Sequence, residues 1–371
     1  MEMHTCDTGI KVFSVKFSRL TIFFYCFWMA YNMALRSFLH IGNSTYKCVF
    51  TTIKFKPKLY VVEGYKQIRN FHKFRGKTKL SQSSNSLTEE FLKKQSGYFP
   101  NLWKPFTFTI IFSATTFIAA AIWEYECVRN KTYSIIRSYK QWGIHRTGWR
   151  NTMENWWKNL SEGERIFIPI CFLNVLVFLS WHIPAFRLTM YRYFSCTPTT
   201  NRCWPMLFVT FSHCSLLHLI VNMYVLYGFS KIAVAQLGRE QFLALYLISG
   251  VVSSFSSYLY KAVVGIRDPS LGASGAIMGV FGFVCTQFPN AYLSIIFLPM
   301  FTFTASMAMK AIMGLDTLGC LMRWQRFDHA AHLGGALFGI FWQMWGSANI
   351  WQKREPVLVF WHQVREPPRS N

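Results

Sequence analysis

Acidic residues are scarce in this chain: 16 Asp and Glu in 371 residues, against 39 Lys and Arg. Charged residues of both signs together make up 15%, where soluble domains carry about 25%. That shortage excludes an ordinary soluble enzyme and a disordered polar chain. Ten cysteines are scattered along the sequence without a Cys-x-x-Cys pair, and no His-Glu-x-x-His is present, so neither a structural zinc module nor a helix-borne zinc hydrolase is indicated. The net charge of +23 would suit nucleic acid or an anionic membrane. The basic residues sit at the ends of apolar segments rather than along one face, which favours the membrane and excludes nucleic acid as a partner.

What is abundant is apolar: 52% hydrophobic residues, with 36 Phe and 14 Trp. A bilayer core of about 30 Å takes about 20 residues of helix. Uncharged runs near that length recur at Pro105–Trp123, Ile166–Phe186, Cys203–Ser230, Gln241–Tyr260 and His329–Gln352. One further run, Pro269–Met309, is too long for a single span, and Pro289-Asn290 divides it in two. The expectation is an all-α polytopic membrane protein of seven spans, one set apart from a compact group of six.

The chain organises around those spans as a basic targeting and linker region (1–100), the separate span with an interfacial segment (101–164), the six-span core (165–352) and a C-terminal tail (353–371). Residues 8–62 hold eight Lys or Arg and no acid, as organelle transit peptides do; Leu20–Leu35, uncharged throughout, is equally a secretory signal core or a short eighth span. Residues 71–98 read as a linker. Between the first two spans, Trp142, Trp149, Trp156 and Trp157 among basic residues suit a segment lying at the headgroups or a small soluble linker. Cys196 and Cys203 flank a short loop and are candidates for a disulfide.

Polar residues inside spans are costly and mark function or a buried polar contact. Three clusters stand out: His213, His218 and Asn222; Gly272-Ala-Ser274-Gly275; and Asp328-His329-Ala-Ala-His332. His218 and Asn222 are four apart and share a helix face. Small residues recur every fourth position at Gly275 and Gly279, and again at Ala331, Gly335 and Gly339, the spacing that lets helices approach closely in lipid. If those two faces pack, Ser274 and His332 meet in the arrangement of a nucleophile and its base.

Together these motifs, in this order, resemble the rhomboid family of intramembrane serine proteases, whose signature is a Gly-x-Ser-Gly in one span, a His among small residues in a later one and a His-x-x-x-Asn in an earlier one. The words around them, such as Pro269-Ser-Leu-Gly-Ala-Ser-Gly and Phe327-Asp-His-Ala-Ala-His-Leu-Gly-Gly, are similar to a mitochondrial branch of that family with one helix ahead of a six-helix core. The resemblance implies a Ser274–His332 dyad. It implies an oxyanion and substrate site at His218, Asn222 and Gly272, and a polar, wet cavity that includes His213. Asp328, one turn before His332, is the nearest carboxylate in sequence, although the family needs none.

The implied substrates are single-span membrane proteins cut within or near the bilayer of the mitochondrial inner membrane, with no cofactor or metal ion and with room for an oligomer or regulatory complex. The main alternative is a catalytically silent relative that binds or escorts membrane proteins. A transporter would show paired repeats or a polar pore, and a paired-aspartate protease a Gly-x-Gly-Asp; the sequence has neither.

Overall fold

The computed structural model describes residues 2–5, 11–14, 101–138, 148–199, 202–213, 215–295 and 298–365. The chain divides into two units, 1–75 and 76–371. In the first, strands β1 (Glu2–Thr5) and β2 (Lys11–Ser14) form an antiparallel hairpin. The apolar stretch Leu20–Leu35 and the linker 71–98 lie outside the described residues.

The second unit is a helical body. A long helix α1 (Trp103–Ser138) is followed by a short amphipathic helix α2 (Trp149–Lys158) and by α3 (Glu162–His182). The connection onward holds α4 (Arg187–Tyr193), one turn α5 (Pro205–Phe208) and a 3₁₀ turn (Val209–Phe211). Helices α6 (Leu216–Leu237), α7 (Arg239–Val264) and α8 (Ser274–Gln287) come next. An antiparallel ribbon of β3 (Tyr292–Ile295) and β4 (Leu298–Thr304) leads into α9 (Ala305–Leu321). Helix α10 (His329–Phe341) then runs into a π-helical stretch, Trp342–Trp351, and α11 (Glu355–Arg365) closes the described chain. Helices α1, α3, α6 and α7 are long and apolar enough to cross a membrane.

Two of the expected spans are built differently. The Cys203–Ser230 run is one continuous helix only from Leu216, because its first part is taken up by the single turn α5 and the 3₁₀ turn of the connection. The Pro269–Met309 run does break at Pro289-Asn290, but its second half is ribbon, and the next helix carries on past Lys310 and Asp316 to Leu321. Charge therefore marks helix ends poorly where charged groups find partners inside the protein. The segment after the last span, expected as a tail, is helical over Glu355–Arg365.

Helix α7 is the axis of the body: 67% of its most apolar window is buried, against 17% for α1. Its Phe242, Leu245 and Tyr246 are enclosed with Leu219, Met223 and Leu226 of α6 and Val280 and Phe283 of α8. The outer helices leave large apolar side chains exposed, among them Ile110 and Ile111 of α1 and Phe172 and Leu176 of α3, as lipid-facing surfaces require. Polar contacts fix the register between helices. Ser161 and Glu164 form a capping box that starts α3, and Glu164 also receives Lys231 of α6 at 2.9 Å. Helix α11, with Arg354 just before it, clasps α1 through Arg354–Glu124 at 2.6 Å, Arg365–Glu126 at 3.0 Å and Tyr125 Oη to His362 Nδ1 at 2.6 Å.

Helices α8 and α10 lie backbone against backbone. A Cβ placed on Gly335 would strike the Gly275 carbonyl, one on Gly339 the Gly279 carbonyl, and one on Gly282 would stand 2.5 Å from the Ala336 carbonyl. The Ala331 carbonyl lies 3.5 Å from the Cβ position of Gly275. From the third side, Ser253, Ser249 and Ser256 of α7 press against Gly275, Gly279 and Gly334. Gly335→Leu must therefore separate α8 from α10, and thermal unfolding in detergent should show a loss on the order of 1–3 kcal/mol. Ala348→Leu, at an exposed position in the π-helical stretch, should unfold with the unaltered protein; the reverse ranking would misplace the contact.

Candidate active site

The residues of the expected site converge at one end of α7. Ser274 is the first residue of α8, so its backbone N–H lies among the donors that a helix N-terminus leaves without an intrahelical acceptor. The loop before it is tied at two points. Ser270 and Cys196 exchange backbone hydrogen bonds at 2.8 and 3.2 Å, and the Gly272 N–H donates to the Val209 carbonyl at 3.2 Å. Gly272 holds φ at +129°, a conformation that side-chain-bearing residues rarely adopt. A Cβ there would stand 2.8 Å from the His218 ring and 3.7 Å from Ser274 Oγ, so the glycine leaves room for both.

His332 lies in the first turn of α10, which Asp328 caps through Oδ1 and the Ala331 N–H at 3.2 Å. Its Nε2 is 3.0 Å from Ser274 Oγ. On the α6 side, the Asn222 amide donates to the His218 carbonyl at 2.9 Å and retains a second N–H. His213 is fully buried; its ring stands edge-on to His218 with centroids 5.0 Å apart, and the Ala273 N–H points to its Nε2 at 3.5 Å. Thus His213 braces the backbone that leads into Ser274.

Asp328 is engaged away from the imidazole of His332. Its Oδ2 accepts Ser257 and Ser270 at 2.6 Å each and pairs with Lys261 Nζ at 3.0 Å, which joins α7, the serine loop and the start of α10 in one knot. Burial alone would raise its pKa, but Lys261 and the hydroxyl donors outweigh it and hold the carboxyl well below the usual carboxylate range. Instead, the carboxylate beside His332 belongs to Asp316 of α9, whose Oδ1 is 3.2 Å from His332 Nδ1 and 2.7 Å from His329 Nδ1. Sequence reasoning missed this residue, although an isolated acid within an apolar helix was a signal for it. Among the described residues, the ligand atoms of Asp316, His329 and His332 also lie close enough, within 4.8 Å, to hold a metal ion; as placed, both imidazoles address one carboxylate oxygen, the geometry of hydrogen bonds. Cys196 and Cys203 are free thiols, and burial pushes Cys196 up to about 12, so Cys196 serves the loop through its backbone.

Residues 200–349 match the Rhomboid domain family. The human "Presenilin-associated rhomboid-like protein, mitochondrial" is 48% identical over 272 residues, covering 71% of this chain and 72% of the relative. The mouse protein of the same name is 48% identical over 276 residues, with the same coverage of both chains. The chain belongs to the rhomboid family. A yeast member, "Rhomboid protein 1, mitochondrial" of Saccharomyces cerevisiae, is 33% identical over 190 residues, half of this chain and 54% of its own length. With these relatives and its apolar helices, this rhomboid is a multi-pass mitochondrial membrane protein, consistent with the inner membrane. The name of these mammalian relatives associates them with presenilin.

Gly272 gives a test of the site's construction. Gly272→Ala combines backbone strain of about 1–3 kcal/mol with a methyl group against His218. It should slow covalent labelling of Ser274 by a serine-reactive fluorophosphonate at least about tenfold, a cost of roughly 1.4 kcal/mol. Gly265→Ala carries a comparable strain at φ +81° but meets nothing within 4 Å, and should label at the unaltered rate. Equal labelling of the two variants would show that Gly272 does not hold the site open.

Proposed function

We propose that the protein is an intramembrane serine endopeptidase that cleaves single-span membrane proteins within or near the mitochondrial inner membrane. The observation that carries this proposal is the 3.0 Å approach of His332 Nε2 to Ser274 Oγ, between helices whose backbones are in contact. A hydroxyl and an imidazole at that distance form a nucleophile and its general base.

His332 takes the proton of Ser274 as Oγ attacks the substrate carbonyl. The tetrahedral oxyanion forms beside the N-terminus of α8, where the Ser274 N–H, the second Asn222 N–H and the His218 imidazole are the available donors. The C–N bond then breaks as His332 returns the proton to the leaving amine. An acyl ester remains on Ser274, and water, activated by the same imidazole, hydrolyses it. The polar side chains of His218, Asn222 and Ser274 suit a wet recess, where non-helical substrate backbone is tolerated at membrane depth. Substrates with helix-weakening residues fit best, because an intact helix shields its own peptide bonds.

Purified Ser274→Ala and His332→Ala should lose cleavage of a transmembrane substrate while keeping the unaltered melting temperature. Near-normal turnover by either would sink the proposal. Asn222→Ala should lower kcat by about 10² to 10³ and change KM much less, because its donor acts on charge that develops only in the transition state. A change confined to KM would assign Asn222 to substrate binding instead. If the protein only binds membrane proteins, the unaltered enzyme will capture substrate without cutting it, and Ser274 will not react with the fluorophosphonate.

A further inference from the structure

Ser274 is delivered by a loop that hangs on the connection between α3 and α6. Ser270 and Gly272, just before Ser274, are tied by backbone hydrogen bonds to Cys196 and to Val209 respectively. Neither partner lies in a long helix: Cys196 follows α4, and Val209 opens the 3₁₀ turn after α5. Such a bond fixes the loop only as firmly as the partner is itself fixed. We propose that Phe108 and Phe112 of α1 are positioning residues for Ser274, holding those two partners in place through a stack of aromatic rings. The inference rests on the assignment of Ser274 as nucleophile and extends its support to a helix outside the six-helix body.

The stack is continuous from α1 to both ties. Phe108 lies on Phe112 with centroids 5.8 Å apart and stands edge-on to Trp204 at 5.6 Å. Trp204 stacks on Phe208 at 6.2 Å, and Phe208 on Phe194 at 5.4 Å. Offset and edge-to-face pairs at such distances favour particular ring orientations, so the stack conveys position as well as bulk. Phe208 directly precedes Val209, and Phe194 stands two residues before Cys196. Each tie therefore has a ring of the stack beside it in the chain.

Apolar packing closes the same path. Phe108 and Phe112 pack against a buried cluster of Cys196, Met206, Val209, Val251 and Tyr258. Leu271, between the two tied residues of the loop, packs against it as well. From the α7 side, Tyr258 donates its hydroxyl to the Pro198 carbonyl at 3.0 Å, so the connection is held between α7 and α1. A segment with few packed contacts opens locally at low cost, and removing the α1 rings would leave mobile lipid chains against the connection in their place. The seam of α8 and α10 sets how closely those helices stand. The stack acts on the loop that leads into Ser274, where a misplacement of about 1 Å costs on the order of 10² in rate. At its far end α1 meets the body through Phe117 and Trp351, with centroids 5.7 Å apart, at the end of α7 opposite the loop.

The experiment uses full-length protein in detergent, measuring kcat and KM on a transmembrane substrate and, separately, the rate at which a fluorophosphonate labels Ser274. Phe108→Ala and Phe117→Ala remove the same side chain from the two ends of one helix, and both should lower the melting temperature. Assayed below both transitions, only Phe108→Ala should lose kcat and labelling rate, each at least about tenfold, with KM near its unaltered value. Phe112→Ala should follow Phe108→Ala. Phe108→Leu, a smaller loss at the same contact, should give intermediate rates and carries the comparison if Phe108→Ala does not fold. Unaltered kcat and labelling in the Phe108 variants, with Ser274→Ala inactive, would overturn the proposal and leave the nucleophile standing. Equal losses in Phe108→Ala and Phe117→Ala would also overturn it, showing that α1 contributes stability alone. Full activity in Ser274→Ala would instead remove the nucleophile itself.

Discussion

The backbone contact between α8 and α10 is the constraint on which the rest of the structure depends. In lipid no hydrophobic force drives one apolar helix onto another, so association rests on close fit. Gly275, Gly279 and Gly282 on one helix, and Gly335, Ala336 and Gly339 on the other, let peptide groups meet where side chains would hold them apart. Ser274 and His332 sit at the same end of this seam, so their separation is set by main-chain geometry rather than by flexible side chains. The serines of α7 fill the third side and turn a two-helix contact into a three-helix one.

A second layer of organisation is polar. A buried ion pair contributes little net stability, because desolvation offsets the attraction between its members, but losing one partner leaves an expensive orphan charge. The knot of Lys261, Asp328, Ser257 and Ser270 therefore matters more for specificity than for strength. It ties the end of α7, the loop that carries Gly272 and the cap of α10, which are the three pieces that must agree for the proposed site to form. Glu164 and Lys231 do the same for α3 and α6 at a distance from it.

Much of this was legible in the sequence, because the bilayer and the small-residue spacing each impose a period. Uncharged runs found α3, α7 and the last span nearly in place and the start of α1, which runs on past Trp123 to Ser138, and the fourfold spacing of Gly and Ala brought Ser274 and His332 together. Charge and apolar length mislead where a charged group is paired inside the protein or an apolar run is not helical. Lys310 ended an uncharged run, but α9 carries on past it, and Asp316 inside that helix has His329 and His332 as partners. Pro205 and the 3₁₀ turn broke a run that composition alone showed as continuous, and the β3–β4 ribbon occupied a stretch as apolar as a helix. Asp328 was the nearest carboxylate to His332 along the chain, whereas the nearest in space is on another helix, which no local spacing reveals.

Helix α1 also decides the sidedness of the chain. The six-helix body begins at Glu162, beside Arg239 at 3.0 Å, and ends with Ser347 near Gln241 at 3.4 Å, so both of its ends stand at the N-terminal end of α7. Ser257 and Lys261, with the proposed dyad, stand at the other. Alone, such a body would enter and leave on one face. Helix α1 runs the length of α7 in the opposite sense, from Phe106 against Phe255 to Phe117 against Trp351. Its first turn is thus on the face of the site, and the two ends of the membrane domain are handed to different compartments. A single added crossing changes which compartment the chain enters from while leaving the site facing the same way.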